Sequence, residues 1–449
     1  MHDSVILSKL FLALAGAVAC VAIWRLAAIR RISKGQFGLM ALALAVLSRE
    51  GFYVLIYVIQ RQPVPHDVPE YYCPEAMHVL AGMIPYRDFM TSYAPLFDYV
   101  GAALLSVWRD PRVFVVVAMA LDLLSLPLWL AVGRRLFSEN VVRTATVLYL
   151  TNVKVLLCIG TGQNQIWIAF LLAASLWLEM RGRPFWSGMM LGLGLSAVKL
   201  LVLILTPPVW LAGRRRIAWM IGFAALPLAV YLGFIAKGAD VFRPIKFEAK
   251  LVTCGNLPFL ATLSGCDAAG AVGVAGVVTL LALWAVFYGV AWKRGLDLDT
   301  PRVIHLLTLV LISFMLLSKK AYTGYLVLGM FCLCLTVADR PFGWREMLIY
   351  CLFNVVAVME PTLWERWLPL QDLRLFWQPL HAGHPGYARL ALFTLVECAL
   401  IGCYLHYGIQ ALRGVWDRRT AATGMNLPPA SMLPDAADSD RLVTVHEQM

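Results

Sequence analysis

Asp67 stands in the stretch PHDVPEYYCPEAMHVLAGMIPYRDFMTSYAP, residues 65–95, four positions ahead of Tyr71. A carboxylate set among prolines and aromatics, in a connection between two apolar runs, has the chemistry of a general base that takes a proton from a hydroxyl at a membrane surface. Asp88, in PYRDF, is the second candidate for that role, and Arg87 offers either a substrate contact or a partner for its neighbour. Glu75 and His78, spaced i, i+3 with His66 nearby, are ligand types for a divalent metal. Histidines and acids scattered like this are common in loops, so a divalent metal stays open and no metal ligand is assigned.

The cations stand further along. Lys199 in GLGLSAVKLL, and Lys319 and Lys320 after Ser318 in LLSKKAYTGYLVL, each fall where an apolar run ends. As compact ammonium groups they suit a phosphate, or they reach for lipid headgroups. The polar turn TGQNQ, residues 161–165, puts Gln163 and Asn164 where they either cap helices or hydrogen-bond a sugar. Arg49, Glu50, Asp122 and Lys154 lie inside apolar runs at similar depth by rise per residue. Charges within the membrane default to pairing or function, and two of each sign predict a mutually neutral cluster, the alternative being the floor of a catalytic cavity.

The elements that must position these groups are membrane helices. Of 449 residues, 60% are hydrophobic and 14% charged, against about a quarter charged in soluble domains. Many runs approach the roughly 20 apolar residues that span a bilayer, and helices satisfy their own backbone there. The first run, Val5 to Trp24, has no small-residue cleavage site after it and reads as a retained helix rather than a signal peptide. The net charge of +11 does not indicate nucleic acid. Lys and Arg cluster between apolar runs, around 25–34, 134–135, 181–183, 214–216, 293–294, 340–345 and 413–419, which is positive-inside patterning. The ten cysteines show no zinc-ligand spacing. Cys254 and Cys266 share one loop, where an oxidising compartment would permit a disulfide.

Placing the basic clusters in the cytoplasm gives one path. Spans run near 5–24, 37–59, 113–132, 144–160 and 164–180; a bent hairpin at 186–212 turns its tip, near Ser196 to Lys199, toward the outer face. Further spans come near 217–236, 270–292, 303–318, 321–338, 346–358 and 390–410. Leu96–Trp108 is read as a juxtamembrane helix, because a crossing there would put two Arg-containing loops outside. One membrane domain, 1–420, would carry outer loops at 60–112, 237–269 and 359–389, and 421–449, rich in Pro, Asp and Ala, reads as a disordered cytoplasmic tail.

Taken in order, Asp67-x-x-x-Tyr71, GMIPYRDFMTSYAPL, LYLTNVKVLLCIGTGQNQIWIAFLLAASLW, GLGLSAVKLLVLILTPPVWLAGRRR and LLSKKAYTGYLVL resemble the GT-C superfamily of membrane glycosyltransferases. The likeness covers roughly residues 37–340 and is strongest to bacterial polyprenol-phosphate-mannose-dependent mannosyltransferases, from which the chain departs with Ala94-Pro95 where Pro-Pro is usual. It implies an all-α polytopic membrane protein, a GT-C-like bundle of about 11–13 transmembrane helices with juxtamembrane helices in the first outer loop. It also implies inverting transfer of a sugar from a polyprenyl-phosphate donor to a glycolipid or polysaccharide acceptor on the outer face of the cytoplasmic membrane. Asp67 would match the family's loop-one base, Gln163 its Gly-Gln motif, Lys199 its hairpin lysine, and Lys319 with Tyr325 its Lys and Tyr six apart. Phosphate is a good leaving group, so one base plus cations on the departing phosphate suffice. Expected partners are the lipid donor, the glycan acceptor and membrane lipids. A transporter or flippase is the main alternative, and the absence of an inverted repeat in the sequence speaks against it.

Overall fold

The computed structural model describes residues 2–26, 31–249, 251–263, 270–367 and 387–416. The expected tail at 421–449, Cys266, and most of the loop expected at 359–389 lie outside the described residues. Helix α1 (His2–Arg25) is followed by α2 (Lys34–Tyr53), which widens into a π-helical stretch, Val54–Ile59. The long connection after it holds a π-helical turn, Val68–Tyr72, then α3 (Cys73–Leu80) and α4 (Phe97–Val107). Next come α5 (Arg112–Leu136), α6 (Glu139–Leu150), α7 (Val153–Gly160), α8 (Gln165–Met180), α9 (Pro184–Ala197), α10 (Val202–Ala212) and α11 (Arg216–Ala236). Two short helices, α12 (Arg243–Glu248) and α13 (Leu257–Leu263), precede α14 (Ala271–Lys293) and α15 (Arg302–Leu317). A 3₁₀ helix, Thr323–Gly329, leads into α16 (Met330–Ala338), then α17 (Trp344–Trp367) and α18 (Tyr387–Trp416).

Among the described residues there is no strand beyond one isolated bridge, Pro85 to Phe89, and the protein is an all-α polytopic membrane protein. Among the described residues, seven helices are long and apolar enough to cross a membrane, or up to eight if the bent pair α6–α7 is one span. The expected 11–13 include further, shorter helices. These are apolar helices such as α8, α10, α15 and the stretch Thr323–Ala338. Helices α8, α15 and α16 are buried along almost their whole length. Protein covers their backbone, so their length is released from the bilayer thickness, while an apolar run alone cannot distinguish a buried helix from a spanning one. Helix α17 also runs on to Trp367 rather than ending near 358.

The bend of 52° between α6 and α7 is held by side chains from elsewhere. Asn152 caps α7, accepting from the Val155 N–H at 3.1 Å. Asn354 of α17 accepts from the Val153 N–H at 2.9 Å and donates to the Thr151 carbonyl at 3.2 Å. The Tyr350 hydroxyl donates to the Leu148 carbonyl at 2.8 Å. Arg49, buried on α2, donates to the Leu150 carbonyl at 3.3 Å and pairs with Asp122 at 3.1 Å, while the Tyr149 hydroxyl donates to Asp122 at 2.5 Å. The groups freed at the break are thereby satisfied inside the bundle, as hydrocarbon requires.

Helices α9 and α11 touch backbone to backbone. A Cβ on Gly188 would lie 2.1 Å from the Trp219 carbonyl oxygen, one on Gly192 2.4 Å from that of Phe223, and one on Gly222 2.0 Å from that of Phe185. GMMLG is thus a small-residue stripe of the kind that brings membrane helices close. It fixes the hairpin α9–α10, whose two feet rest beside the basic loops.

Those loops gather on one face. Arg135 and Arg214 both reach Asp299, at 2.7 and 2.5 Å, and Arg135 also donates to the Met180 carbonyl at 2.9 Å. Arg294 donates to the Trp416 carbonyl at 2.7 Å, and Arg134 to that of Lys34 at 2.8 Å. The hairpin tip and the first long connection lie at the other ends of these helices.

Candidate active site

Asp67 begins the turn Val68–Tyr72 without capping it by its side chain. His66, just before it, has a φ of 60°, a left-handed conformation that non-glycine residues seldom adopt and that redirects the chain after Pro65. The carboxylate is therefore turned into a cavity of about 720 Å³, within the range of roughly 300–1,000 Å³ typical of ligand sites.

Three distant segments bring partners to it. In TGQNQ, Gly162 has a φ of 67°, and a Cβ there would lie 3.1 Å from Val68 Cγ2, so only glycine lets this turn rest beside Asp67. Gln163 then hydrogen-bonds the Asp67 carboxylate. The hairpin tip is pinned to the first connection, with the Ala94 N–H donating to the Val198 carbonyl at 3.1 Å and the Leu96 N–H to that of Ser196 at 2.9 Å. Lys199 is delivered beside Asp67, its ammonium 5.3 and 5.5 Å from the ring centroids of Tyr93 and Tyr325 and donating to the Tyr325 hydroxyl at 3.4 Å. Such cation–π contacts hold an ammonium in place without neutralising it. The third segment, after α15, supplies Lys320, Tyr322 and Tyr325.

Burial pushes the Asp67 carboxyl above the usual carboxylate range, and Lys199 is the strongest influence pulling it back down. Burial and Lys199 push the Lys320 ammonium down, to about 7, and Glu248 of α12 lies against it. Behind Asp67, Glu75 accepts from the Thr91 hydroxyl at 3.0 Å and sits next to Asp98. Burial raises both carboxyls, and proximity adds to this for Glu75. The pair holds a shared proton at neutral pH, because two adjacent carboxylates do not both ionise in such a site. Phe52, Ile56, Leu157 and Val358 make another part of the cavity wall apolar.

Of the residues singled out from sequence, Asp67, Tyr71, Gln163, Lys199, Lys320 and Tyr325 line this one cavity. Asp88 and Arg87 do not line it; they pair with each other at 2.8 Å, and Asp88 also accepts from the Ile84 N–H at 2.7 Å. Asn164 is buried, its N–H donating to the Tyr72 hydroxyl at 3.3 Å. The Lys319 carbonyl accepts from the Thr253 N–H at 2.8 Å, tying the segment of Lys320 to the loop before α13. His78 packs on Phe89, 5.0 Å between ring centroids, and Glu75 is engaged by Thr91 and Asp98, so these groups do not assemble around His66. The four charges expected to form one cluster are divided: Arg49 pairs with Asp122, Glu50 is exposed, and Lys154 lines the cavity because the α6–α7 bend turns it there. Sequence reasoning missed Lys9 and Arg366 in the lining, where Lys9 lies in electrostatic reach of Glu365, Lys154 and Arg366. A lysine within the first apolar run was the available signal for Lys9.

A family model described as glycosyltransferase family 87 matches residues 93–318, just over half of the chain. The match includes Tyr93, Gln163 and Lys199 and leaves Asp67 and Lys320 outside it. No curated protein matches the chain. Among solved structures, the chain is similar to the crystal structure of the Archaeoglobus fulgidus oligosaccharyltransferase in its apo form, at 14% identity and a TM-score of 0.37. That match covers 84% of this chain and 56% of the other, so the chain spans little more than half the length of that protein.

Proposed function

Since the chain belongs to glycosyltransferase family 87, we propose that it moves a hexose, mannose or a close relative, from a polyprenyl-phosphate donor to an envelope glycolipid or polysaccharide. In this reading the cavity opens on the outer face of the cytoplasmic membrane, opposite the Arg-rich face. The observation that carries the proposal is that Asp67, Gln163, Lys199, Lys320 and Tyr325, drawn from four separate segments, line one cavity.

The chemistry rests on their types. Asp67 takes the proton of the acceptor hydroxyl as that oxygen attacks the anomeric carbon from the face opposite the phosphate, which inverts the configuration. The bond from anomeric carbon to phosphate oxygen breaks, and the charge developing on the leaving phosphate falls to Lys199 and Lys320, with the Tyr325 hydroxyl beside them. The apolar wall takes the first isoprene units of the donor. Gln163 orients the Asp67 carboxylate. No second carboxylate is needed, because the leaving group requires no proton.

The test is transfer by purified protein in nanodiscs, supplied with a panel of radiolabelled polyprenyl-phosphate sugars and envelope lipid extract. Label should appear in acceptor from at least one donor, and the same sugar supplied as a nucleotide sugar should give none. Transfer from nucleotide sugars alone would overturn the donor assignment.

A further inference from the structure

A second group of ligating side chains starts in the cavity wall, which Cys254 lines, and extends behind it. Cys254 precedes α13, Glu360 is on α17 and Glu397 on α18, and one ligand atom from each lies within 4.8 Å of the other two. Cys254 is 6% exposed and both glutamates 0%. The Gly255 N–H donates to both Glu397 oxygens, at 2.7 and 3.0 Å, and the Thr323 hydroxyl donates to Glu360 Oε2. Gly255 has a φ of 82°, and its left-handed turn carries the backbone between the two acids; a Cβ there would lie 3.4 Å from Glu360 Oε1.

Two polar atoms remain. Glu360 Oε1 is buried with no partner other than the Cys254 thiol that hydrogen-bonds this carboxyl, and the hydroxyl of Tyr404, a fully buried residue of α18 in electrostatic reach of Glu360, Glu397 and Cys254, has none. Among the described residues no Lys, Arg or His nitrogen pairs with either glutamate, although Lys154 is in electrostatic reach of Glu360. Two carboxyls and a thiol gathered in low dielectric are costly unless a cation or shared protons neutralise them.

We propose that Cys254, Glu360 and Glu397 bind one divalent cation of the zinc class. A thiolate beside two carboxylates favours zinc over magnesium or calcium, which take oxygen ligands. Tetrahedral ligand atoms at bond lengths of about 2.0–2.3 Å lie roughly 3.5 Å apart, so the group closes on the ion with a contraction of about an ångström. The Tyr404 hydroxyl or a water takes the fourth position. Binding displaces the thiol proton and any proton shared by the carboxyls. The ion then ties the loop of Cys254 to α17 and α18. Thr253 and Thr323 connect that loop and Glu360 to the segment bearing Lys319, Lys320 and Tyr325, so the site is structural and steadies one wall of the cavity.

The full chain in nanodiscs, stripped with chelator and then equilibrated with Zn²⁺ alone, should retain about one zinc per chain after desalting, as a closed structural site does. Cys254→Ser and Glu397→Gln should each lower that content to background. Zinc-edge X-ray absorption on the parent protein should show one sulfur at about 2.3 Å with oxygens at about 2.0–2.2 Å, a readout that does not depend on the variants folding. Zinc retained equally by Cys254→Ser, no retained zinc in the parent, or a shell without sulfur would each overturn the proposal and leave a proton-sharing acid pair.

Discussion

Replacing Asp67 by Asn separates basicity from shape. The side chain caps no helix, an amide oxygen still accepts from Gln163, and the charge that is lost sits in a buried setting that already disfavours it. Stability should therefore change by no more than about 1 kcal/mol, within the spread of substitutions that leave packing intact. The rate should fall by about 10²- to 10⁴-fold, the usual contribution of a positioned base, which adds about 2.7–5.4 kcal/mol to the barrier at 1.36 kcal/mol per tenfold. Single-turnover transfer from saturating donor isolates the chemical step, and a thermal-shift scan reports the fold. In the parent, kcat/KM should fall as the pH drops through an Asp67 value lying above the ordinary carboxylate range. The Asn protein should lose that acid limb along with its rate. Asp88→Asn, which breaks only the exposed pair with Arg87, should stay near the parent rate. A loss of less than about tenfold in Asp67→Asn would refute the assignment of Asp67 as base, and a collapse confined to Asp88→Asn would transfer the role to Asp88.

Lys199→Met removes the strongest influence lowering the Asp67 carboxyl; donor binding should weaken, and the acid limb of kcat/KM should move to higher pH, so activity at pH 6 suffers more than at pH 8. An unmoved limb in the rate–pH profile would separate the two residues. Glu75 and Asp98 have folded values above their unfolded ones, so the stability they confer is complete below the ordinary carboxylate range, about pH 4, and is lost as the pH rises through the raised values. The melting temperature of the parent should decline with rising pH on this account, and Glu75→Gln should flatten the decline; identical slopes would remove the shared-proton account. Gly192→Ala puts a Cβ 2.4 Å from the Phe223 carbonyl oxygen and should cost about 1–3 kcal/mol by overpacking, seen as a lower melting temperature. Gly233→Ala, with nothing within 4 Å, should be neutral.

What the sequence made legible was the face on which each group lies. Basic clusters fix orientation because lysine and arginine are costly to move across hydrocarbon, and once the Arg loops share a face, Asp67, Gln163, Lys199 and Lys320 must share the other. That they meet depends on contacts with no local signature, such as the Ala94 and Leu96 amides pinning Val198 and Ser196 across about a hundred residues. Depth was less legible. Counting 1.5 Å per residue set Lys154 level with Asp122, an arithmetic that holds only for an unbroken helix, and the Asn152 and Asn354 hydrogen bonds that stabilise the bend come from residues unremarkable in sequence. What surrounds each span was equally hidden. Helices such as α15 are apolar on every side because they are buried in protein, and hydropathy reads burial in protein and burial in lipid alike. For function, the cost of that ambiguity is visible at Glu360 and Glu397. One fell in a stretch read as loop and the other in an apolar run, so neither drew notice until α17 was seen to continue past residue 358 and carry Glu360 to within ligand distance of Cys254 and Glu397. A carboxylate in an apolar run is costly wherever its helix ends, so the search for its partner should begin from the carboxylate, not from the span count.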